Sequence, residues 1–312
     1  MENVMPLVLV RTPTYRRPSQ LKRALACLQA QTHQEWICEV RDDCPDNSAR
    51  HVVEEMCDPR IRYIGNSPQQ FLIANLDACF RCDNPYSADY FFMLEDDNQV
   101  RPEFMKRGIG VLEKNGVSIC QINQIIENAS EQHLSKFGLL DGTFDERTYQ
   151  PEEFHLALFG GIGISNGGVF WSKNIKRELS FRTDTIPALD EYIRTCLVAE
   201  PIYICLEKLA VWSQNESETT RNLGFERGWL RREIDLKASI RFIRRKVWKE
   251  TPSNIRENFI KGDILRIPVE RRMLALYKAG VKPYDTSASL KSKAKQMVIR
   301  SLGRVHPSVS SL

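Results

Sequence analysis

The sequence predicts an α/β protein with a Rossmann-like, mostly parallel sheet flanked by helices, and three observations predict it. Short apolar runs alternate with helical patterns of about 10 to 15 residues through the first third of the chain. A polar segment rich in helix breakers or acidic residues follows several of these runs, as at the ligand-binding edge of such sheets. The composition, 42% hydrophobic and 27% charged, is that of an ordinary globular protein.

The elements of the first half follow in a regular order. The predicted strands are residues 7–10, 36–40, 61–64 and 90–94. The predicted helices between them are residues 21–31, 49–56 and 69–81. Ser19 is expected to cap the first helix, because its hydroxyl can accept a hydrogen bond from a free backbone N–H.

The second half is less regular. A strand is predicted at residues 117–122, a polar loop at 128–153, a second apolar run at 169–171, a helix at 192–199, and basic helices from about 228 onward. Gly161 and Gly163 do not form a dinucleotide-binding loop, because Asn166 stands at the third glycine position and no early strand precedes them. A close-packed turn beneath a substrate is expected instead.

Three adjacent acidic residues, Glu95, Asp96 and Asp97, directly follow the fourth predicted strand. Two like charges about 4 Å apart repel by ~4 kcal/mol at a protein surface, so a shifted pKa, a basic partner or a divalent cation is needed. A bound cation would make this strand end a clamp for a phosphate-bearing ligand. A solvated turn is the alternative that these residues alone leave open.

Other polar residues follow the first two strands. Asp42 and Asp43 can form an Asx turn, or accept a hydrogen bond from a nucleobase N–H. Arg11, Arg16 and Arg17 can be surface charges, or partners of a diphosphate and of the acidic run.

Asp190 and Glu191 open the later helix. Acidic residues in a first turn are favourable to the helix dipole, which is a sufficient structural reason for them. The functional alternative is a general base near the acidic run.

In this order and spacing, the motifs resemble those of the family-two glycosyltransferases, which have the GT-A fold. The resemblance covers about residues 5–225 and points to bacterial enzymes of glycan and polysaccharide biosynthesis. It rests on VLVRTPTYRRP at 8–18, LKRALACLQAQT at 21–32, VRDDC at 40–44, FMLEDDN at 92–98 with Pro102 after it, GGVF at 167–170 and DEY at 190–192.

The resemblance implies a role for each matching residue. Asp42 would contact the nucleobase, and Asp97, whose register is set by Pro102, would hold Mn²⁺ or Mg²⁺ against the diphosphate. The residues implied for nucleotide-sugar binding are Thr12, Pro13, Thr14, Tyr15, Arg16, Asp42, Glu95 and Asp96, and those on the acceptor side are Gly167 and Gly168. Glu191 aligns with the catalytic base and Asp190 with the acid before it; the two acid types are reversed relative to the family, which leaves the base open.

The implied activity is metal-dependent, inverting, hexosyltransferase-type transfer. The donor would be a nucleotide-diphosphate sugar, with a UDP-sugar as the leading candidate. The acceptor would be a hydroxyl of a glycan or of a lipid-linked molecule. Two alternatives are a nucleotidyltransferase of similar fold and a catalytically silent nucleotide-sugar-binding module. Nucleic acid is not an expected partner, because no recognised binding module is present.

The chain departs from the family pattern at three further places. Glu95 replaces the usual first Asp, and Ala74 stands where some members carry Arg. The late H-x-x-S motif reads QNES at residues 214–217 and lacks its His.

The predicted catalytic domain spans residues 1–227, with a nucleotide-sugar half at about 1–115 and an acceptor half at about 116–227. Residues 231–312 hold 20 Lys and Arg against 7 Asp and Glu, whereas the preceding residues hold 24 against 33. The basic helical region 228–312 is therefore expected to lie on an anionic membrane surface, or to pack on the catalytic domain with solvated basic faces.

Nine scattered cysteines, no visible signal peptide and no apolar run of roughly 18 residues favour a cytoplasmic location. Within this expectation, the protein could also be attached peripherally to the inner face of the cytoplasmic membrane.

Overall fold

The structure, a computed structural model, describes residues 5–128, 133–161, 163–182, 184–186, 188–214, 228–281 and 290–310. The strands are β1 (Val8–Thr14), β2 (Trp36–Asp42), β3 (Ile61–Gly65), β4 (Tyr90–Met93), β5 (Gln99–Val100), β6 (Ile119–Asn128), β7 (His133–Leu134), β8 (Thr148–Tyr149), β9 (Val169–Ser172) and β10 (Ile202–Gln214). The helices are α1 (Pro18–Gln29), α2 (Arg50–Met56), α3 (Phe71–Ala78), α4 (Phe104–Asn115), α5 (Pro151–Phe154), α6 (Leu189–Leu197), α7 (Trp229–Glu250), α8 (Ser253–Lys261), α9 (Val269–Ala279), α10 (Leu290–Leu302) and α11 (Pro307–Ser310). Two 3₁₀ turns, His155–Phe159 and Asn166–Gly168, lie between α5 and β9.

One sheet joins the main strands in the order β3-β2-β1-β4-β9-β6-β10-β5. Strands β3, β2, β1 and β4 are parallel neighbours, and β10 is parallel to β6. Strand β9 runs antiparallel between β4 and β6. The predicted α/β fold with a mostly parallel sheet and flanking helices is confirmed. The carboxyl ends of β1, β2 and β4 consequently meet at one edge, where ligands bind in such sheets.

Both faces of the sheet are buried, which explains why its central strands read as apolar runs. On one face, Val8 and Val10 of β1 pack with Leu21, Leu25 and Leu28 of α1. The leucines recur at helical spacing and form the buried stripe of that helix. The other face belongs to a second apolar layer that includes residues of α3, α6 and the C-terminal helices.

Three local expectations need correction. Helix α1 begins at Pro18 with Arg17 in the cap position and no side-chain cap, so Ser19 lies inside the helix; proline suits this start because its fixed φ is helical and it lacks an N–H. Helix α3 is shorter than the predicted 69–81. The polar stretch predicted as a loop contains the short elements β7, β8 and α5.

The sequence reading missed β10, which is 13 residues long and pairs with β6. Its register to β6 shifts twice between Cys205 and Ala210. The polar pair Glu207 and Lys208 falls at this irregularity and breaks the alternation that predicts a strand.

The C-terminal helices share one apolar core with the sheet and with α3 and α6. Trp248 of α7 and Phe259 of α8 both pack on Phe159, with ring centroids 5.7 Å from it. This packing agrees with the expectation of a helical region docked on the catalytic domain. The boundary at residue 227 lies outside the described residues, so the division into domains stays a prediction.

Candidate active site

The acidic run after β4, residues 95–97, is called the carboxylate corner here, and it lies beside the loop after β1. Thr14 Oγ1 donates a hydrogen bond to Asp96 Oδ2 over 2.7 Å. Arg17 Nη1 lies 2.9 Å from Asp97 Oδ2 and 3.4 Å from Asp96 Oδ1. The structure therefore brings together the predicted loop and the predicted carboxylates.

The carboxylate corner carries more negative charge than Arg17 neutralises. Burial, then Asp97, Glu191, Asp190 and Asp96, raise the pKa of Glu95 to about 8. Burial also raises the pKa of Asp96 to about 6, against the opposing effects of Thr14 and Arg17. Protonation is one way to relieve this charge, and an added cation is the other.

The corner fits a divalent cation that is shared with a ligand. Among the residues that the structure describes, no three His, Cys, Asp or Glu side chains form a site that could hold a metal by themselves. Mg²⁺, however, is commonly held by one or two carboxylates together with substrate phosphates and water. Asp97 supplies the right oxygen donors, and 30% of its side chain is exposed at the edge of the sheet.

A second arginine, which the sequence analysis did not identify, stabilises the corner through hydrogen bonds. Arg23 of α1 donates from Nη2 to the backbone oxygen of Asp97 and to Ser213 Oγ, both over 2.9 Å. Asn98 accepts from the backbone N–H of Ser213 over 3.0 Å. These contacts tie the turn at residues 97–98 to the end of β10. No local motif reveals them, because the partners are 74 to 190 positions apart in sequence.

Asp42 and Asp43 shape the loops at the neighbouring strand ends. Asp42 is fully buried and accepts from the backbone N–H groups of Cys44 and Ala49 over 3.0 and 2.9 Å. Asp43 accepts from the N–H groups of Gln70 and Phe71, both over 2.7 Å, at the start of α3. The structure thus gives both residues a role in loop geometry, and the nucleobase contact of Asp42 stays a prediction.

A cavity of about 700 Å³ lies between the loops that follow β2 and β3. This is within the size range of small-molecule sites. Its lining residues are Cys44, Pro45, Asn47, Arg50, Tyr63, Gly65, Asn66, Ser67, Pro68 and Gln69.

The predicted nucleotide-binding loop has its side chains in different surroundings. Thr12 is buried within the sheet, with Oγ1 3.6 Å from Cys38 Sγ, and Pro13 is half-buried. Tyr15 is 44% exposed. Arg16 points away from the carboxylate corner and pairs with Asp46 over 2.8 Å.

Arg11 and Arg16 therefore do not act as partners of the acidic run in this structure. Arg11 lies within β1 and is buried against Glu39, with Nε and Oε2 2.9 Å apart. Of the three arginines considered from the sequence, Arg17 is the one that reaches the carboxylates.

The glycines predicted for the acceptor side, Gly167 and Gly168, are required by close packing. A Cβ atom on Gly167 would lie 2.7 Å from Gln124 Nε2, and one on Gly168 would lie 2.6 Å from Gln121 Nε2. A Cβ on Gly163 would overlap Thr195 Oγ1 of α6. The close packing predicted for the turn at Gly161 and Gly163 thus holds at Gly163, whereas a Cβ on Gly161 would meet no atom within 4 Å. The position of this turn beneath a substrate stays a prediction.

Asp190 and Glu191 occupy the first turn of α6, and their charges help to raise the pKa of Glu95, so the two acidic groups are close neighbours. Asp190 is buried and lies 3.3 Å from Arg194 Nη1. Glu191 is half-buried. Gln214 ends β10, whereas residues 215–217 of the altered late motif lie outside the described residues.

All nine cysteines fall in described residues, and none forms a disulfide. No helix in the described ranges is both long enough and apolar enough to cross a membrane.

Comparison with known proteins gives one family and several related folds. The model of "Glycosyl transferase family 2" matches residues 10–169. A search of curated proteins finds no match. Among solved structures, S. aureus TarS 1-349 in complex with UDP-GlcNAc is similar, with a TM-score of 0.58 and 12% identity over 95% of this chain and 88% of that one. The same fragment in complex with UDP gives 0.51 and 12%, over 92% and 95% respectively.

Proposed function

The chain belongs to glycosyl transferase family 2, and on this premise we propose that it is a metal-dependent, inverting glycosyltransferase. The proposed donor is a UDP-sugar, and the proposed acceptor is a hydroxyl of a glycan or of a lipid-linked molecule. The observation that carries the proposal is the meeting of Thr14, Arg17 and the carboxylate corner with the acidic start of α6 at one edge of the sheet.

The nucleoside is assigned to the cavity between the loops after β2 and β3. Its volume suits such a ligand, and Tyr63, which lines it, donates from its hydroxyl to Asp42 Oδ2 over 3.3 Å. S. aureus TarS 1-349 has been solved with UDP-GlcNAc and with UDP, which makes UDP the first nucleotide to test.

The diphosphate is assigned to the carboxylate corner, beside Arg17. Asp97 would hold Mn²⁺ or Mg²⁺ there, with Asp96 and Glu95 as neighbours toward the diphosphate and the ribose. The cation, when bound, supplies positive charge that stabilises the departing nucleoside diphosphate. Arg17 adds a fixed positive charge 2.9 Å from Asp97. Arg23 keeps the backbone of Asp97 in place.

The acidic start of α6 is assigned to the acceptor. Glu191 or Asp190 takes the proton of the acceptor hydroxyl as that oxygen forms a bond to the anomeric carbon. The bond from this carbon to the diphosphate oxygen breaks, and its electron pair leaves with the nucleoside diphosphate. Attack from the face opposite the leaving group inverts the anomeric configuration.

The test is a screen of nucleotide sugars, UDP-GlcNAc among them, in the presence of Mn²⁺ or Mg²⁺. Transfer to added acceptors, or slow transfer to water, should release a nucleoside diphosphate. Release of pyrophosphate would favour a nucleotidyltransferase instead. Donor binding without turnover under any condition would favour a silent binding module.

We also propose that the C-terminal helices meet an anionic membrane surface, which would place the enzyme at the inner face of the cytoplasmic membrane. Met297, Val298 and Leu302 of α10 are 69%, 42% and 56% exposed on a helix that also carries basic residues. Such an amphipathic helix can lie in a membrane interface. Co-sedimentation with anionic but not neutral vesicles, reversed by salt, is expected. Equal recovery with both vesicle types would contradict this part of the proposal.

A further inference from the structure

Arg194, in the second turn of α6, is a buried cation that the proposed mechanism leaves without a role. Its side chain is 0% exposed. Nη1 lies 2.7 Å from Asn166 Oδ1 and 3.3 Å from Asp190 Oδ2, and Nη2 lies 3.5 Å from Asp77 Oδ1. The guanidinium also stacks on Phe80, 3.7 Å from the ring centroid. Residues from α3, from the 3₁₀ turn before β9 and from α6 thus meet at one side chain.

Asp77 fixes the segment that leads toward α6. Its carboxylate accepts hydrogen bonds from Ser180 Oγ over 2.6 Å and from the backbone N–H groups of Phe181 and Arg182 over 3.1 and 2.9 Å. Asp77 belongs to α3, and Asp43 holds the backbone N–H groups at the start of that helix. Helix α3 therefore connects the nucleotide side of the site to the start of α6.

The side chain of Arg194 is also connected to the carboxylate corner. Asn166, which accepts from Arg194, precedes Gly167, and a Cβ on Gly167 would lie 3.4 Å from Asn98 Nδ2. Asn98 Nδ2 in turn donates to Glu95 Oε2 over 2.5 Å. The turn at Asn166 and Gly167 thus lies between Arg194 and the corner.

Stability alone does not explain this arrangement. Nε of Arg194 is buried and has no hydrogen-bond partner among the described residues, and Nη2 has the ion pair with Asp77 at 3.5 Å but no hydrogen bond. Leaving a buried donor unsatisfied costs about 1–3 kcal/mol, and replacing a buried ion pair by apolar residues is often neutral or stabilising. Phe80 and Phe181 already provide apolar surroundings for such a replacement. The guanidinium of Arg194 can hold Asp190 in one position, whereas an apolar side chain cannot.

The two acidic residues of α6 differ in their burial. Asp190 is 4% exposed and is engaged by Arg194 and, at 3.5 Å, by Asn166 Nδ2. Glu191 follows it in the first turn of the helix and is half-buried. A carboxylate that is buried against an arginine is poorly placed to accept a proton from an entering hydroxyl.

We propose that Arg194 is a positioning residue, which holds Asp190 and Asn166 against α3 so that Glu191 meets the acceptor hydroxyl. This inference rests on the proposed glycosyl transfer. The acceptor proton goes to the Glu191 carboxylate, the acceptor oxygen bonds to the anomeric carbon, and the diphosphate leaves with the electrons of the broken bond. Asp190 anchors the helix start and takes no proton.

The test compares kcat and donor KM for Glu191→Gln, Asp190→Asn, Arg194→Met and Arg194→Lys. Glu191→Gln should lower kcat by about 10³-fold, and Arg194→Met by roughly 10- to 100-fold, with donor KM nearly unchanged. Arg194→Lys, which keeps the charge, should recover part of this loss. In a Glu191→Gln background, Arg194→Met should lower kcat by less than about threefold further, because both changes act through one group.

Arg272→Met is the matched control. Arg272 is also a buried arginine, but it lies on α9 and donates to the backbone oxygens of Phe259 and Ile260. This substitution should lower Tm and leave kcat per folded enzyme unchanged. If Arg194→Met does not fold, Arg194→Lys and Asp77→Asn carry the same test, with an expected loss of kcat at constant donor KM.

Three outcomes would overturn the inference. One is a greater loss of kcat in Asp190→Asn than in Glu191→Gln. The second is wild-type kcat in folded Arg194→Met, and the third is the same fractional loss from Arg194→Met with and without Glu191. Failure of the wild type to turn over any nucleotide sugar would instead overturn the proposed function, and the inference with it.

Discussion

The carboxylate corner and the start of α6 are both acidic, but the structure balances their charges differently. At the corner, Arg17 is 30% exposed, and the pKa of Glu95 still rises to about 8. At α6, the fully buried Arg194 lies between Asp190 and Asp77. The corner retains excess negative charge at the edge of the sheet, whereas a buried arginine balances the acidic charge at the start of α6. We infer that the corner receives a cation together with its ligand. We also infer that the acidic residues of α6 are already held in position before a ligand binds.

Removal of divalent cations tests the first half of this comparison and should have the largest effect. A chelator should lower turnover by about 10³-fold, because the corner then lacks the charge that stabilises the leaving diphosphate. Activity should return with Mn²⁺ or Mg²⁺ and should be measured as nucleoside diphosphate release. Full turnover in the chelator would show that Arg17 suffices and that the corner needs no further cation.

Substitution of Arg17 by Met should separate the two roles of its charge. Loss of the guanidinium should raise donor KM by about tenfold, because one charge-assisted contact to the diphosphate is lost. Without nucleotide, the same variant should bind Mn²⁺ more tightly than the wild type, since a competing positive charge 2.9 Å from Asp97 is gone.

Titration calorimetry with Mn²⁺ and donor kinetics together measure these two effects of Arg17→Met. Lys22→Met is the matched control, because Lys22 lies near Arg17, in the first half of α1, but pairs with Glu55. Weaker Mn²⁺ binding by Arg17→Met would mean that Arg17 does not oppose a cation at Asp97.

The stability of the ligand-free protein should depend on pH through Glu95. Its pKa is about 8 in the folded protein, against an ordinary value of 4.5. The folded state therefore holds the extra proton between these values, and the free energy of unfolding falls as pH rises through this window. Tm should drop by about 3 °C or more between pH 5 and 8, beyond the change seen in Glu95→Gln. Parallel pH curves for the two proteins would contradict the raised pKa of Glu95 in the folded protein.

The sequence was most informative where function depends on local segments. Strands β1 and β2 begin with mainly apolar residues, β4 is apolar throughout, and polar residues follow these segments directly in sequence. The meeting of Thr14, Arg17 and the carboxylates could therefore be predicted from the parallel sheet. Strand β10 could not be predicted in this way, because its irregular pairing with β6 interrupts the alternation of apolar and polar residues that indicates a strand.

The contacts around Arg194 could not be predicted from sequence patterns, for a different reason. Asp77, Asn166 and Arg194 come from separate elements, and each alone reads as an ordinary polar residue of a helix or a turn. Their contacts arise only when α3 and α6 pack over the same region of the sheet. For Arg11 and Arg16, proximity in sequence to the loop was misleading, because alternation along β1 and a positive φ at Arg16 turn these side chains away.

Nucleoside diphosphate release by Asp97→Asn, with Mn²⁺ and an accepted UDP-sugar, tests the role of the carboxylate corner most directly. Asp58→Asn is the control, because Asp58 precedes β3 at the opposite edge of the sheet and its carboxylate binds Arg60. Asp97→Asn should lose about 10²- to 10³-fold in kcat, whereas Asp58→Asn should lose stability and keep its kcat. Wild-type release by folded Asp97→Asn would contradict the assignment of the cation and the diphosphate to this corner.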